Sequence, residues 1–362
     1  MYDYLIIGAG LFGSVFARYV AELDKKVLII DKRSHIAGMC YTENIQGIDV
    51  HKYGPHLFHT NNQEVWNFVN RFTKFNSFQQ HTKVNYKNKI FSFPINLMTL
   101  HQIWGINTPE EATRKLESVR LKIENPENLE EWILSQVGEE LYEIFIKGYT
   151  EKQWGTSCKN LPMFIIQRLP IRLTFDDRYF SDIFQGIPVC GYTKMFENIL
   201  DHENIKIYLN CDFYENKFEY KNLVYTGKID EFFDYKYGEL EYRSLRFENE
   251  IKKGDFQGNS IINYTDKDVP FTRIIEHKHF VYGTQENTVI TREFPDSYDK
   301  NKIPFYPIQN DKNNLIYEKY KNECKNKNVI FGGRLGTYKY LDMHQVIAQA
   351  LKKAKEFCSK HE

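Results

Sequence analysis

The chain carries no surplus of either charge: among 362 residues, Lys and Arg together number 48, and so do Asp and Glu. Nucleic-acid binding as a main task is thereby disfavoured, since a phosphate backbone selects a cationic surface. No apolar run approaches the roughly 18 residues of a membrane-crossing helix, so no membrane span is expected. The opening enters a strand at once, leaving no room for the charged and apolar regions of a secretory leader, and a cytoplasmic protein is expected. Cysteine is sparse and scattered (40, 158, 190, 211, 324, 358), with no Cys-x-x-Cys pair, which fits reduced thiols rather than a disulfide frame. Aromatic residues, at 15%, are plentiful. Core packing accounts for them, as does an enzyme that stacks a base or a sugar. The length implies two or three domains.

The most informative stretch is the first. Leu5 to Ile7 run into Gly8, Gly10 and Gly13, and a helix-like segment follows with Val15, Tyr19, Val20 and Leu23 on one face. A second apolar run, Val27 to Ile30, ends at Asp31. This is the strand, glycine turn, helix, strand order of a dinucleotide-binding unit. The glycines permit the tight turn, the approach of a pyrophosphate to bare backbone, and close helix–strand packing. The helix N-terminus then favours the anion. Asp31 stands about 20 residues on, where a ribose-binding carboxylate is expected. A parallel sheet with an empty turn is the alternative.

Beyond Asp31 a loop passes back under this region, and His51-Lys-Tyr-Gly-Pro-His-Leu-Phe-His59 gathers three histidines. With no acidic or cysteine partner nearby in sequence, no metal is assigned to His56 and His59. Residues 84 to 93 read as a hairpin ended by Pro94. From 97 to 149 the pattern is helical, with starts at Thr108-Pro109-Glu110-Glu111 and Pro126-Glu127-Asn128. Arg168, Arg172 and Arg178 then crowd a proline-flanked loop with Tyr179 and Phe180; a solvated basic face and a mobile lid carrying an anion clamp both fit. Gly186 to Ile199 suggests a turn and a helix, Leu223 to Asp230 a strand returning to the first sheet, and period-2 alternation over 238 to 294 an antiparallel sheet. Val329-Ile-Phe-Gly-Gly repeats the strand and glycine turn, followed by a helix capped by Asp342 that carries Val346, Ile347, Ala350, Leu351, Ala354 and Phe357.

The opening glycines, Tyr53-Gly-Pro-His-Leu-Phe-His-Thr60, Gly148-Tyr-Thr-Glu-Lys-Gln-Trp-Gly155, Arg168-Leu-Pro-Ile-Arg172, Val269-Pro-Phe-Thr-Arg273, Pro304-Phe-Tyr-Pro307 and Gly333-Arg-Leu-Gly-Thr-Tyr-Lys-Tyr-Leu-Asp-Met343 together resemble the UDP-galactopyranose mutase family, in its bacterial form. The match is collinear over essentially the whole chain. It implies an α/β fold: an FAD-binding Rossmann-like domain from discontinuous segments (1–78, 186–236, 312–362), a helical bundle (97–168) with a lid at about 156–180, and an antiparallel sheet domain (79–96, 169–185, 237–311). A homodimer is also implied.

The resemblance implies an isomerase working with FAD, active when reduced, that interconverts UDP-galactopyranose and UDP-galactofuranose for cell-surface polysaccharide. In the family mechanism flavin N5 attacks the anomeric carbon and displaces UDP, giving a flavin–sugar iminium. The leaving group is a diphosphate, so cations must hold it: Arg168 and Arg273 by resemblance. Tyr179, Tyr306 and Tyr340 match phenols that donate to the same phosphates; Tyr149, Thr150 and Trp154 match the nucleotide pocket, and Asn263 a further substrate contact. On the cofactor side stand Gly8, Gly10, Phe12, Gly13, Asp31, Lys32, Gly38, Met39, His56, Leu57, Gly333, Arg334 and the run Leu341, Asp342, Met343, His344, Gln345 and Val346. His56 either orients or relays a proton near N5 or is a packed, satisfied histidine. One departure stands out: Ala37-Gly38-Met39 replaces the family's frequent Gly-Gly-Asn, and methionine offers no amide. The competing reading is an amine-oxidase-type flavin oxidoreductase, which needs an apolar substrate cage.

Overall fold

A computed structural model describes residues 1–167, 169–325 and 328–359. Arg168 therefore lies outside the described residues. In chain order the strands are β1 (Tyr2–Ile7), β2 (Val27–Asp31), β3 (Thr42–Ile45), β4 (Ile48–His51), β5 (Phe58–Thr60), β6 (Lys83–Tyr86), β7 (Lys89–Ser92), β8 (Phe184–Gly186), β9 (Ile205–Leu209), β10 (Tyr220–Tyr225), β11 (Tyr242–Lys253), β12 (Ile261–Tyr264), β13 (Arg273–Glu276), β14 (Asn287–Ser297), β15 (Tyr306–Pro307) and β16 (Val329–Phe331).

The first sheet is parallel, ordered β16-β10-β1-β2-β9. It is covered on both faces, which is why β1 and β2 read as continuous apolar runs rather than alternating ones. On one face the helices Leu11–Ala21 and Met343–Cys358 pack together through Val15, Phe16, Val20, Val346, Ile347, Ala350 and Leu351. On the other, Leu5, Leu28, Ile30 and Leu223 are covered by Phe213, Phe218 and Phe232. Leu23 does not join the buried helix face. The helix ends at Ala21, Asp24 turns the chain at φ 58°, and Leu23 is left 42% exposed.

The second sheet has the order β15-β11-β14-β13-β12-β6-β7. It is antiparallel as the alternation predicts, except that β12 and β6 run parallel. Helices occupy most of residues 97–154, between β7 and β8, and their starts are chemically defined. Thr108 accepts from the Glu111 N–H at 3.2 Å while Glu111 accepts from the Thr108 N–H at 3.2 Å, a reciprocal cap. Asn128 accepts from the Glu131 N–H at 3.0 Å. The last helix of this group, Gly148–Trp154, follows a π-helical turn at Glu143–Lys147. Gly148 lets that helix close on the β12–β13 loop, since a Cβ there would lie 2.1 Å from the Thr265 carbonyl oxygen. Among the described residues no helix is long and apolar enough to cross a membrane.

Candidate functional site

The glycine turn after β1 is held by its neighbours rather than by its own side chains. Gly8 adopts φ 108°, and a Cβ on Gly13 would sit 2.1 Å from the Gly8 carbonyl oxygen, so this crossing of strand and helix excludes any side chain. Gly10 differs: a Cβ there would meet only the Gly38 Cα, at 3.8 Å. Asp31, buried at the end of β2, accepts the Ala9 N–H at 2.9 Å and the Arg33 N–H at 2.9 Å. Its carboxylate thus ties the second strand to the turn. The loop 37–40 lies against the same turn: Ala37 N–H donates to the Ala9 carbonyl at 2.9 Å, and a Cβ on Gly38 would lie 2.9 Å from the Gly10 Cα. A bare stretch of backbone at a helix start, flanked by a buried carboxylate, fits the pyrophosphate and ribose of a dinucleotide.

Several predicted cofactor positions are set by packing. Phe12 is buried against the backbone of Gly332, so its ring belongs to the core and only its backbone faces the turn. Val346 packs in the core and Lys32 is exposed. Gly333 takes φ 72° and donates its N–H to Gln349 Oε1 at 2.9 Å. Asp342 and Gln345 cap the final helix, with the Asp342 N–H donating to Gln345 Oε1 at 2.9 Å. Arg334 Nε donates to the Leu341 carbonyl at 2.8 Å.

One cavity of about 540 Å³ draws the two halves of the site together. On one side it is lined by Met39, His56, Leu57, Arg334, Asp342 and Met343. Lining it too are Tyr149, Thr150, Trp154, Tyr179, Asn263, Arg273, Tyr306 and Tyr340, predicted from separate segments between Tyr149 and Tyr340 and gathered around one space. Gly8, Gly10, Phe12, Gly13, Asp31, Lys32, Gly38, Gly333, Leu341, His344, Gln345 and Val346 do not line it. Among the described residues, three that line the cavity hold buried polar atoms without a hydrogen bond: Gln153 Oε1, Asn263 Oδ1 and Arg273 Nε. Orphaned groups of this kind are costly unless a ligand satisfies them.

The charged centre of the cavity is Arg273, which pairs with the buried Glu293 at 2.8 Å. Burial works against the guanidinium, but Glu293 and the phenols of Tyr149 and Tyr306 outweigh it, so its pKa is raised. Burial, Glu293 and Tyr340 push the Tyr306 phenol up, keeping it a hydrogen-bond donor. Arg334 stacks 4.8 Å from the Tyr340 ring centroid, and Tyr340 stacks on Tyr306 at 5.7 Å. Glu293 went unnoticed in the sequence because it meets Arg273 only through the β13–β14 register.

The histidines sort by partner. His56 Nδ1–H donates to the Gly54 carbonyl at 2.8 Å, leaving Nε2 as the acceptor nitrogen. Burial pulls its pKa down to about 4, so the ring is neutral at pH 7. His59 has acidic partners that sequence separation hid: its Nδ1 lies 2.6 Å from Asp182 Oδ2, its ring stacks on Phe180 at 3.7 Å, and Asp342 and His344 each bring a potential ligand atom within 4.8 Å. Two arginines of the basic loop, Arg172 and Arg178, have a partner within the loop itself. Asp176 takes Arg178 at 2.8 Å and lies 3.7 Å from Arg172, and neither arginine lines the cavity.

The parallel sheet and its glycine turn place the chain in the Rossmann-like class of nucleotide-binding folds. Residues 6–72 match the NAD(P)-binding Rossmann-like domain, and residues 144–340 match the family described as UDP-galactopyranose mutase. A probable UDP-galactopyranose mutase of Klebsiella pneumoniae is 44% identical, the match covering 98% of this chain and 94% of that protein. A dTDP-fucopyranose mutase of Escherichia coli is 42% identical, over 96% of each chain. In fold the chain is similar to a crystal structure of reduced UDP-galactopyranose mutase, with a TM-score of 0.80 at 16% identity over 99% of this chain and 94% of that one. The chain belongs to the UDP-galactopyranose mutase family.

Proposed function

We propose that this protein interconverts UDP-galactopyranose and UDP-galactofuranose with FAD in its reduced form, supplying galactofuranose for cell-surface polysaccharide. The observation that carries the reading is the shared cavity: Met39, His56, Arg334 and Asp342 meet Arg273, Tyr306 and Tyr340 across one space. When bound and reduced, the flavin would supply its N5 as a nucleophile toward the anomeric carbon.

The chain's own residues position and neutralise. Arg273, its charge secured by Glu293, is suited to the diphosphate that leaves and returns, at about 1.5–3 kcal/mol for each charge-assisted hydrogen bond. The phenols of Tyr306 and Tyr340 add neutral donors beside it, and by resemblance Arg168 supplies the second cation. Trp154 and Tyr149 present flat faces for uridine, and the unpaired Asn263 Oδ1 an acceptor for a hydroxyl. His56, neutral with Nε2 as its acceptor, is suited to holding an N–H or O–H in place rather than to donating a proton. The backbone at Gly10 and the start of Leu11–Ala21 fit the cofactor pyrophosphate, and the start of Met343–Cys358 favours negative charge on a flavin ring.

An amine-oxidase-type reaction is less well served, because an ion pair and orphaned polar atoms replace the apolar cage it needs. A second reading, the pyranose–furanose exchange of dTDP-fucose, is favoured by the 42% identical relative of that name. Two measurements test the proposal. The cofactor released by heating the purified protein is identified by chromatography, with FAD expected. The reduced protein is then offered UDP-galactofuranose and dTDP-fucofuranose separately, and a kcat/KM at least about tenfold higher for the UDP sugar is expected. The reverse order transfers the assignment to dTDP-fucose; FMN, or no flavin at all, removes the proposal.

A further inference from the structure

Lys152 sits in the last turn of the Gly148–Trp154 helix, among residues assigned to the nucleotide pocket, yet it does not line the cavity. Its ammonium points the other way, into a ring of backbone. Nζ donates to the carbonyl oxygens of Tyr264 at 2.8 Å, Asp266 at 2.8 Å, Val269 at 2.9 Å and Phe271 at 3.0 Å. Three N–H bonds serve four acceptors, so one is shared. The acceptors run from Tyr264, the last residue of β12, along the connection to β13, with Asn263 just before them and Arg273 just after. No carboxylate forms an ion pair with Lys152 among the described residues; the carbonyl dipoles hold its charge. Burial pulls its pKa down to about 8, which leaves the ammonium intact at neutral pH.

The convergence has a mechanical consequence. Carbonyls that converge on one cation tie the loop to residue 152, beside the backbone bonds from the Tyr264 N–H to the Thr272 carbonyl and from the Thr265 N–H to the Asn85 carbonyl. The same junction is closed by Gly148 against the Thr265 carbonyl, and by the Thr265 hydroxyl donating to the Ile144 carbonyl at 2.6 Å. One end of Arg273 is thus fixed by Glu293, while the backbone leading into it is fixed by Lys152.

We propose that Lys152 is a positioning residue for the sugar nucleotide: its ammonium latches the helix bearing Tyr149, Thr150 and Trp154 to the loop that delivers Arg273, and so sets the affinity for the diphosphate. The inference rests on the cavity being a sugar-nucleotide site. It assigns Lys152 no contact with substrate; its effect passes through Arg273.

The test is a double-mutant cycle on FAD-loaded protein, reading the Kd for UDP by calorimetry in the wild type, Lys152→Met, Arg273→Ala and the double variant. Lys152→Met is expected to weaken UDP about tenfold in the wild-type background and less than twofold once Arg273 is gone, because the two act on one interaction. A Lys152→Met protein that binds UDP as the wild type does overturns the latch. An undiminished loss in the Arg273→Ala background also overturns it, since that marks a general structural fault. If Lys152→Met does not fold, Lys152→Arg keeps the charge but not the three divergent donors. It is expected to bind UDP at least about threefold more weakly and to speed amide exchange across 264–271; wild-type values for both overturn the proposal. A wild-type protein that ignores UDP overturns the substrate reading itself, whereas a UDP-binding wild type with an indifferent Lys152→Met overturns the latch alone.

Discussion

Arg273 and Glu293 occupy directly opposed positions on β13 and β14 and close a buried ion pair at 2.8 Å, with the carboxylate 1% exposed. A cation already matched by a carboxylate can be held inside a cavity before any ligand arrives. Removing one partner leaves the other uncompensated, at a cost of about 3–5 kcal/mol. Glu293→Gln is therefore expected to lower stability by about 3 kcal/mol. A diphosphate restores the missing negative charge, so UDP is expected to raise the Tm of this variant more than that of the wild type. Thermal melts with and without UDP check both.

Arg273→Ala and Arg168→Lys are expected to lower kcat/KM by about 100-fold or more, the loss of charge-assisted hydrogen bonds to the departing diphosphate. Flavin content, read as absorbance per chain, is expected to be unchanged, since neither residue belongs to the glycine turn. Loss of the yellow colour assigns them a structural role instead.

The glycines of the first turn separate packing from ligand binding. A Cβ at Gly13 collides with the Gly8 carbonyl, whereas one at Gly10 meets only Gly38 Cα at 3.8 Å. Gly13→Ala is expected to cost at least about 2 kcal/mol of stability, as forced overpacking does. Gly10→Ala is expected to fold with a near-normal melt in its flavin-free form and to bind flavin at least about tenfold more weakly, because the methyl occupies the bare backbone a pyrophosphate needs. Denaturant melts and flavin titrations distinguish the two.

Acid weakens this fold through the buried His51 and His277 and the half-buried His56. Burial lowers the pKa of His56 to about 4, that of His277 to about 3, and that of His51 well below its ordinary value. The unfolded chain protonates all three below about pH 6.5, while the folded chain does not. Their contribution is complete above that pH and is lost as pH falls toward the folded values, at up to about 1.4 kcal/mol per pH unit for each site. Urea melts between pH 7 and 5 are expected to show that slope. His277→Gln, which keeps a donor for Thr291, is expected to reduce it by about a third.

The first βαβ unit was legible because a sheet buried on both faces writes itself as apolar runs, and because Gly8 and Gly13 stand where no side chain fits. The capped helices at Thr108 and Asn128 were legible through their capping residues. Other features carry no local signal. β5 and β8 are three residues each and pair across more than 120 positions, and β9 is a five-residue edge strand with no fully buried side chain to mark it. Glu293 and Asp182 become site residues only through register and packing. The Lys152 nest is invisible for a different reason: its acceptors are backbone carbonyls, which every residue has. Arg172 and Arg178, conspicuous as a basic cluster, face Asp176 within their own loop.

Anaerobic incubation of the dithionite-reduced protein with UDP-galactofuranose, followed by chromatographic separation of the nucleotide sugars, tests the central claim most directly. Many turnovers to UDP-galactopyranose are predicted with no net consumption of reductant, and little conversion by the oxidised protein. An unchanged furanose in the presence of fully reduced, FAD-loaded protein contradicts the account, as does consumption of one electron pair per sugar.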